Sequence, residues 1–113
     1  MDKEIIERTL ETVRTSENFV TVAEVSIILL QRSIEAEQAG YSEMMDSLQD
    51  SYIEILELSV ESGTKLITPS VQNDYKKKRR ELYHESEARI ARLNFMIREI
   101  AAACARRIEE EKK

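Results

Sequence analysis

The residues of this chain best equipped for chemistry are six in a row, Arg79-Arg80-Glu81-Leu82-Tyr83-His84, which hold its only histidine. They close a run of five consecutive cations that begins at Lys76. Histidine is the one side-chain type whose unperturbed pKa lies near neutrality, so it can take up or release a proton there. A guanidinium close by can hold a phosphate or stabilise the charge that develops on it. One histidine beside phosphate-binding cations is a minimal kit for cleaving RNA. The same residues admit a plainer reading, a solvated charge run next to a surface histidine. The choice depends on the elements that position them.

At 113 residues, 42% hydrophobic and 35% charged, with two Gly, one Pro and no Trp, the chain is expected to form one all-α domain over residues 1–113. No apolar run approaches the ~20 residues needed to span a bilayer, so no membrane partner is expected. The charged start, Met1-Asp2-Lys3-Glu4, lacks the apolar stretch of a signal peptide. Cys104 is the single cysteine, which cannot make an internal disulfide, and a reducing cytoplasm is the expected compartment.

The net charge of −5 hides an asymmetry. Residues 1–68 carry 5 Lys/Arg and 14 Asp/Glu, whereas residues 69–113 carry 12 and 8. The C-terminal segment is therefore cationic on an acidic body. It can present a basic face to a polyanion or dock on its own acidic helices.

Four helices are expected, at about 2–15, 22–39, 43–61 and 69–109. Ile6, Leu10 and Val13 share a face of the first. Thr21-Val22-Ala23-Glu24 reads as a capping box opening the second, with Ala23, Ile27, Leu30 and Ile34 facing the core and Ile28 and Leu29 widening the stripe. Gly40 is expected to end it and Ser42 to cap the third, whose inner face is Met45, Leu48, Tyr52, Ile55, Leu56 and Ser59. Gly63 closes the third, and Thr68-Pro69 opens the fourth. That last helix is too long for the others. It must bend near His84 to Glu87 or project for use by a second chain. Its Ile90, Leu93, Ile97, Ile100 and Cys104 form an apolar stripe, and Ala101-Ala102-Ala103 would admit a close helix.

On these residues the chain resembles the HEPN domains, compact all-α modules of prokaryotic ribonuclease toxins and nucleotide-binding proteins. Their motif is an arginine, a polar residue, four to six residues in all, then a histidine. Arg79 to His84 fits with four intervening residues, and Leu82-Tyr83-His84-Glu85 is similar to its commonest second half. Gly63 to Pro69 resembles the loop before the motif-bearing segment. Ala39-Gly40-Tyr41, Leu48-Gln49 and Tyr52 resemble the first helical hairpin. The similarity covers roughly residues 19–108 and lies in the order and spacing of short elements. Some relatives have a nucleotide-modified tyrosine two residues past the histidine, where this chain has Ser86.

The resemblance implies a four- to five-helix up-and-down bundle with a long C-terminal helix. It further implies a metal-independent endoribonuclease without cofactor, typically the toxin of a toxin–antitoxin pair, whose motifs pair across a homodimer. His84 would be the base that deprotonates a ribose 2′-hydroxyl. A second acid, which a one-histidine chain lacks, would come from the other copy. Arg79 and Arg80 would hold the phosphate, either arginine being able to serve, and Lys76, Lys77 and Lys78 would extend the track along RNA. Two other readings stand beside this one. A non-catalytic HEPN-like accessory protein would bind a nucleotide or a protein partner, and a plain helical adaptor would have no active site. Glu81-x-x-His84 copies a di-iron spacing, but no second copy is present and adjacent cations oppose a metal.

Overall fold

The computed structural model describes residues 2–113. Met1, the first residue of the segment read for a leader, lies outside the described residues. Among these, the chain is all-helical, with three helices and no strand: α1 (Asp2–Thr15), α2 (Phe19–Ser62) and α3 (Pro69–Glu111). No helix among the described residues is long and apolar enough to cross a membrane.

The expected four- to five-helix division fails at Gly40, which sits inside α2 rather than after it. The reason is the apolar register. Ile27, Leu30, Ile34, Glu37, Tyr41, Met45, Leu48, Tyr52, Ile55 and Ser59 are all half-buried, at spacings of three and four that pass Gly40 without a phase change. One helical glycine costs only about 1 kcal/mol relative to alanine, too little to interrupt a stripe that continues on both sides. Ser42 is consequently an interior residue and not a cap. The proposed capping box is displaced as well: α2 starts at Phe19, with Val22 N–H donating to the Asn18 carbonyl at 3.0 Å and Asn18 N–H donating to Ser16 Oγ at 3.1 Å. Thr21 and Glu24 then fall within the first turns.

Where local signals do end helices, the chemistry is explicit. Gly63 adopts φ +68°, the left-handed conformation that glycine takes without strain. Ser59 Oγ donates to the Thr64 carbonyl at 2.7 Å and accepts from Leu66 N–H at 3.1 Å, tying the loop to the end of α2. Thr68 Oγ1 accepts from Val71 N–H at 3.2 Å and caps α3, with Pro69 as its first residue. The two glycines therefore answer oppositely to one substitution. Gly40→Ala, whose new Cβ meets nothing within 4 Å, should stabilise the protein by about 0.5–1 kcal/mol. Gly63→Ala should destabilise it by about 1–2 kcal/mol, because a Cβ is strained at positive φ. Urea midpoints of the two variants check the pair.

The chain divides into two compact units, one formed by the residues up to Glu35 with Ile90–Lys113 and the other by Ala36–Arg89. The first packs α1, the start of α2 and the end of α3 around Val13, Ala23, Ile100 and Ala103, all buried. Ile6, Leu10, Phe19, Val22, Ile27, Leu30 and Cys104 surround them. Cys104 thus serves as a small apolar side chain. Ala103 alone of the three alanines is buried, and Ile28 and Leu29 are exposed rather than part of the stripe. Arg107 completes this unit: its guanidinium lies 4.3 Å from the Phe19 ring centroid and donates from Nη1 to the carbonyls of Val13, at 2.8 Å, and Ser16. Those carbonyls lie at and just past the end of α1, where the last carbonyls of a helix would otherwise lack a donor.

The second unit is an antiparallel pair made by the C-terminal part of α2 and the N-terminal half of α3. Tyr52 stacks on Tyr75 with centroids 4.4 Å apart, Tyr41 meets Tyr83 edge-on at 6.4 Å, and Arg89 Nε donates to Glu37 Oε1 at 2.7 Å. Those pairs fix the register of the two helices. Two helices share only one line of contact, and no apolar side chain within this unit is fully buried. Met44, Ile53, Leu56, Leu58 and Val60 are all exposed, Leu56 against its expected place on the inner face.

Candidate nucleic-acid interface

An unbroken α3 decides how the cationic run is displayed. Positions 76, 79, 80 and 83 share one face of a helix, while 78, 81, 82 and 85 share the next. Together with α2 these faces line two grooves. The first, about 540 Å³, is lined by Lys76, Arg79, Arg80 and Tyr83 from α3 with Tyr41 and Met45 from α2. The second, about 520 Å³, contains Lys78 together with Glu43, Glu81 and Glu85. One groove therefore carries three cations and no carboxylate; the other carries three carboxylates against one cation.

Ion pairing follows the same division. Lys78 Nζ lies 3.0 Å from Asp74 and Lys77 Nζ 3.9 Å from Glu81, both within α3. Among the described residues, no carboxylate comes within ion-pair range of Lys76, Arg79 or Arg80. Arg79 instead places its guanidinium 5.6 Å from the Tyr75 ring centroid, and Tyr75 is itself stacked on Tyr52. That ladder aims Arg79 without neutralising it. Of the five cations read from the sequence as one track, three are left free to meet an anion in a single groove.

His84 is exposed and lies outside the groove lining. At 100° per residue it stands about 40° from Arg80 and about 140° from Arg79 around the helix. Its ring meets that of Tyr83 edge-on, with centroids 5.5 Å apart. Arg80, rather than Arg79, thus shares the side of α3 that carries His84. Within one chain Arg79 and His84 are not brought together. Ser86 is buried, 4% exposed.

Sequence reasoning gave Tyr41, Met45 and Tyr83 no role at the site. The signal for Tyr83 was its spacing, i+7 from Lys76 and i+3 from Arg80. Tyr41 and Met45 depended on α2 remaining helical through Gly40. Among the described residues no group of three or more His, Cys, Asp or Glu is placed to hold a metal ion, so Glu81 and His84 have no further ligands around them. No protein-family model, curated protein or solved structure matches the chain.

Proposed function

We propose that this chain is a HEPN-like, metal-independent endoribonuclease that works as a homodimer, the toxin of a toxin–antitoxin pair. The observation that carries the reading is the convergence of Lys76, Arg79 and Arg80, without a carboxylate partner among the described residues, on one groove that also holds Tyr83, the residue before the only histidine. Such a groove holds a phosphate backbone by charge, with release of its counterions. His84 removes the proton of a ribose 2′-hydroxyl, whose oxygen attacks the adjacent phosphorus. The bond from phosphorus to the 5′-oxygen breaks, and that oxygen takes a proton from the second copy's histidine. The products are a 2′,3′-cyclic phosphate and a 5′-hydroxyl end. Arginine neutralises the charge that builds on the phosphoryl oxygens.

Two features favour the dimer. The chemistry asks for a base and an acid where one chain has a single histidine, and the unit that bears the motif leaves Met44, Ile53, Leu56 and Val60 exposed. A second copy covers such surface more economically than water does. Light scattering at micromolar concentration should report a dimer, with the two His84 residues near one cleft. A monomer would contradict the proposal, as would a dimer that holds them far apart.

One observation favours a second reading, that of a non-catalytic accessory protein binding a nucleotide or a protein partner. His84 stands outside the groove and about 140° around the helix from Arg79, so a single chain has a binding surface without a catalytic constellation. An RNA-cleavage assay on the purified protein, wild type beside His84→Ala, separates the two.

A further inference from the structure

We infer that Tyr83, in the groove it shares with Tyr41, is a base-stacking subsite. The inference deepens the ribonuclease proposal and rests on it. Tyr83 is half exposed, 49%, so part of its ring is open to a ligand. It lies in the same groove as the three cations that carry no carboxylate partner. Aromatic faces interleaved with a cationic track are the combination that binds single-stranded nucleic acid, since every base presents a π-face and every nucleotide a phosphate. A duplex, whose bases are already stacked, offers the groove only its phosphates.

Geometry selects the stacking ring. Aromatic faces pack at about 3.5 Å, so a base held between two rings needs them parallel and roughly 7 Å apart. The Tyr41 and Tyr83 centroids are 6.4 Å apart with planes inclined by 66°. A sandwich is therefore ruled out. One face of one ring must be the platform, and the more exposed Tyr83 is that ring. Tyr41, half-buried on the inner stripe of α2, meets Tyr83 in a T-shaped contact that restrains its orientation. Tyr83 also meets the His84 ring, with centroids 5.5 Å apart. One side chain thus links the groove to the residue proposed as the base, and a nucleotide stacked on Tyr83 is held beside His84. The volume, about 540 Å³, is of the size of an ordinary small-ligand pocket and accommodates one nucleotide.

The test compares four probes: single-stranded oligouridylate, an abasic sugar–phosphate oligomer of equal length, double-stranded RNA and polyglutamate. Binding is measured by fluorescence anisotropy across a salt series, in wild type, Tyr83→Leu, Tyr83→Phe and Tyr41→Leu proteins. Wild type should bind oligouridylate more tightly than the abasic oligomer. Tyr83→Leu should weaken oligouridylate binding by about tenfold or more, leave abasic binding and the salt slope unchanged, and be rescued by Tyr83→Phe. Tyr41→Leu should show a smaller loss. Equal binding of oligouridylate by wild type and Tyr83→Leu would overturn the subsite while leaving the groove's role toward RNA intact. So would equal loss of both RNA probes, or a wild-type preference for the duplex. Wild type that binds polyglutamate as well as RNA, or no RNA at low salt, would overturn both the subsite and the function it rests on. Retained circular dichroism in Tyr83→Leu, whose side chain is half in solvent, keeps the comparison free of unfolding.

Discussion

Replacing His84 by alanine is expected to lower the cleavage of single-stranded RNA by ~10²–10⁴-fold, the usual effect of removing a general base, while the helical spectrum stays as it was. The expectation has two roots. His84 is the only side chain of its type in the chain, so no neighbour can replace it near neutral pH. It is also exposed, with the Tyr83 ring as its aromatic contact, and its loss removes little packing. Arg79→Ala and Arg80→Ala should each lose most of the activity. The two effects need not be equal. Arg80 stands on the side of the helix that carries His84, whereas Arg79 can reach a reacting phosphate beside a histidine only through the groove or from the other copy. An Arg80→Ala protein with wild-type turnover would place the working arginine at Arg79 and strengthen the case for assembly across two chains.

The second large effect is on binding. Lys76, Arg79 and Arg80 changed together to glutamine should weaken RNA binding on the order of tenfold or more at low salt. The dependence of log affinity on log salt should fall by about two, since each phosphate contact on a single strand contributes ~0.7. Lys77 and Lys78 changed together should do much less, because Glu81 and Asp74 already lie against them and they face away from the cationic groove. Neither set should move the urea midpoint much, exposed charges contributing little to stability individually. The contrast between the two sets separates a shaped site from a generally basic helix: losses proportional only to the number of charges removed would favour the latter.

Much of the fold was legible because sequence patterns agreed across levels. The helix ends at Thr15, Ser62 and Pro69 follow from signals acting over three or four residues, among them the left-handed Gly63 and the Thr68 cap. The failure at Gly40 is instructive for the same reason. A glycine is a local signal of about 1 kcal/mol, and the heptad-like stripe through Tyr41, Met45 and Leu48 is a longer one that outweighs it. With α2 continuous it is a helix of 44 residues, about as long as the 43-residue α3. The length mismatch that called for a bend near His84 or a projecting end came from dividing α2 at Gly40. The site was half legible. The cations and His84 could be chosen by type, but which cations act together depends on helical phase and on local carboxylates. Asp74 and Glu81 withdraw Lys78 and Lys77 from the groove. Tyr83 became a groove residue only once Tyr41 stood opposite it across the hairpin.

The measurement that bears most directly on the central claim is the end chemistry of RNA cleaved by the purified protein in excess EDTA. The proposed mechanism uses the neighbouring 2′-hydroxyl as nucleophile, so cleavage should persist and leave 2′,3′-cyclic phosphate and 5′-hydroxyl ends. DNA of the same sequence should stay intact, and His84→Ala should be nearly inactive. Cleavage that stops with EDTA, that leaves a 5′-phosphate, or that survives undiminished in His84→Ala would contradict the assignment of His84 as the base.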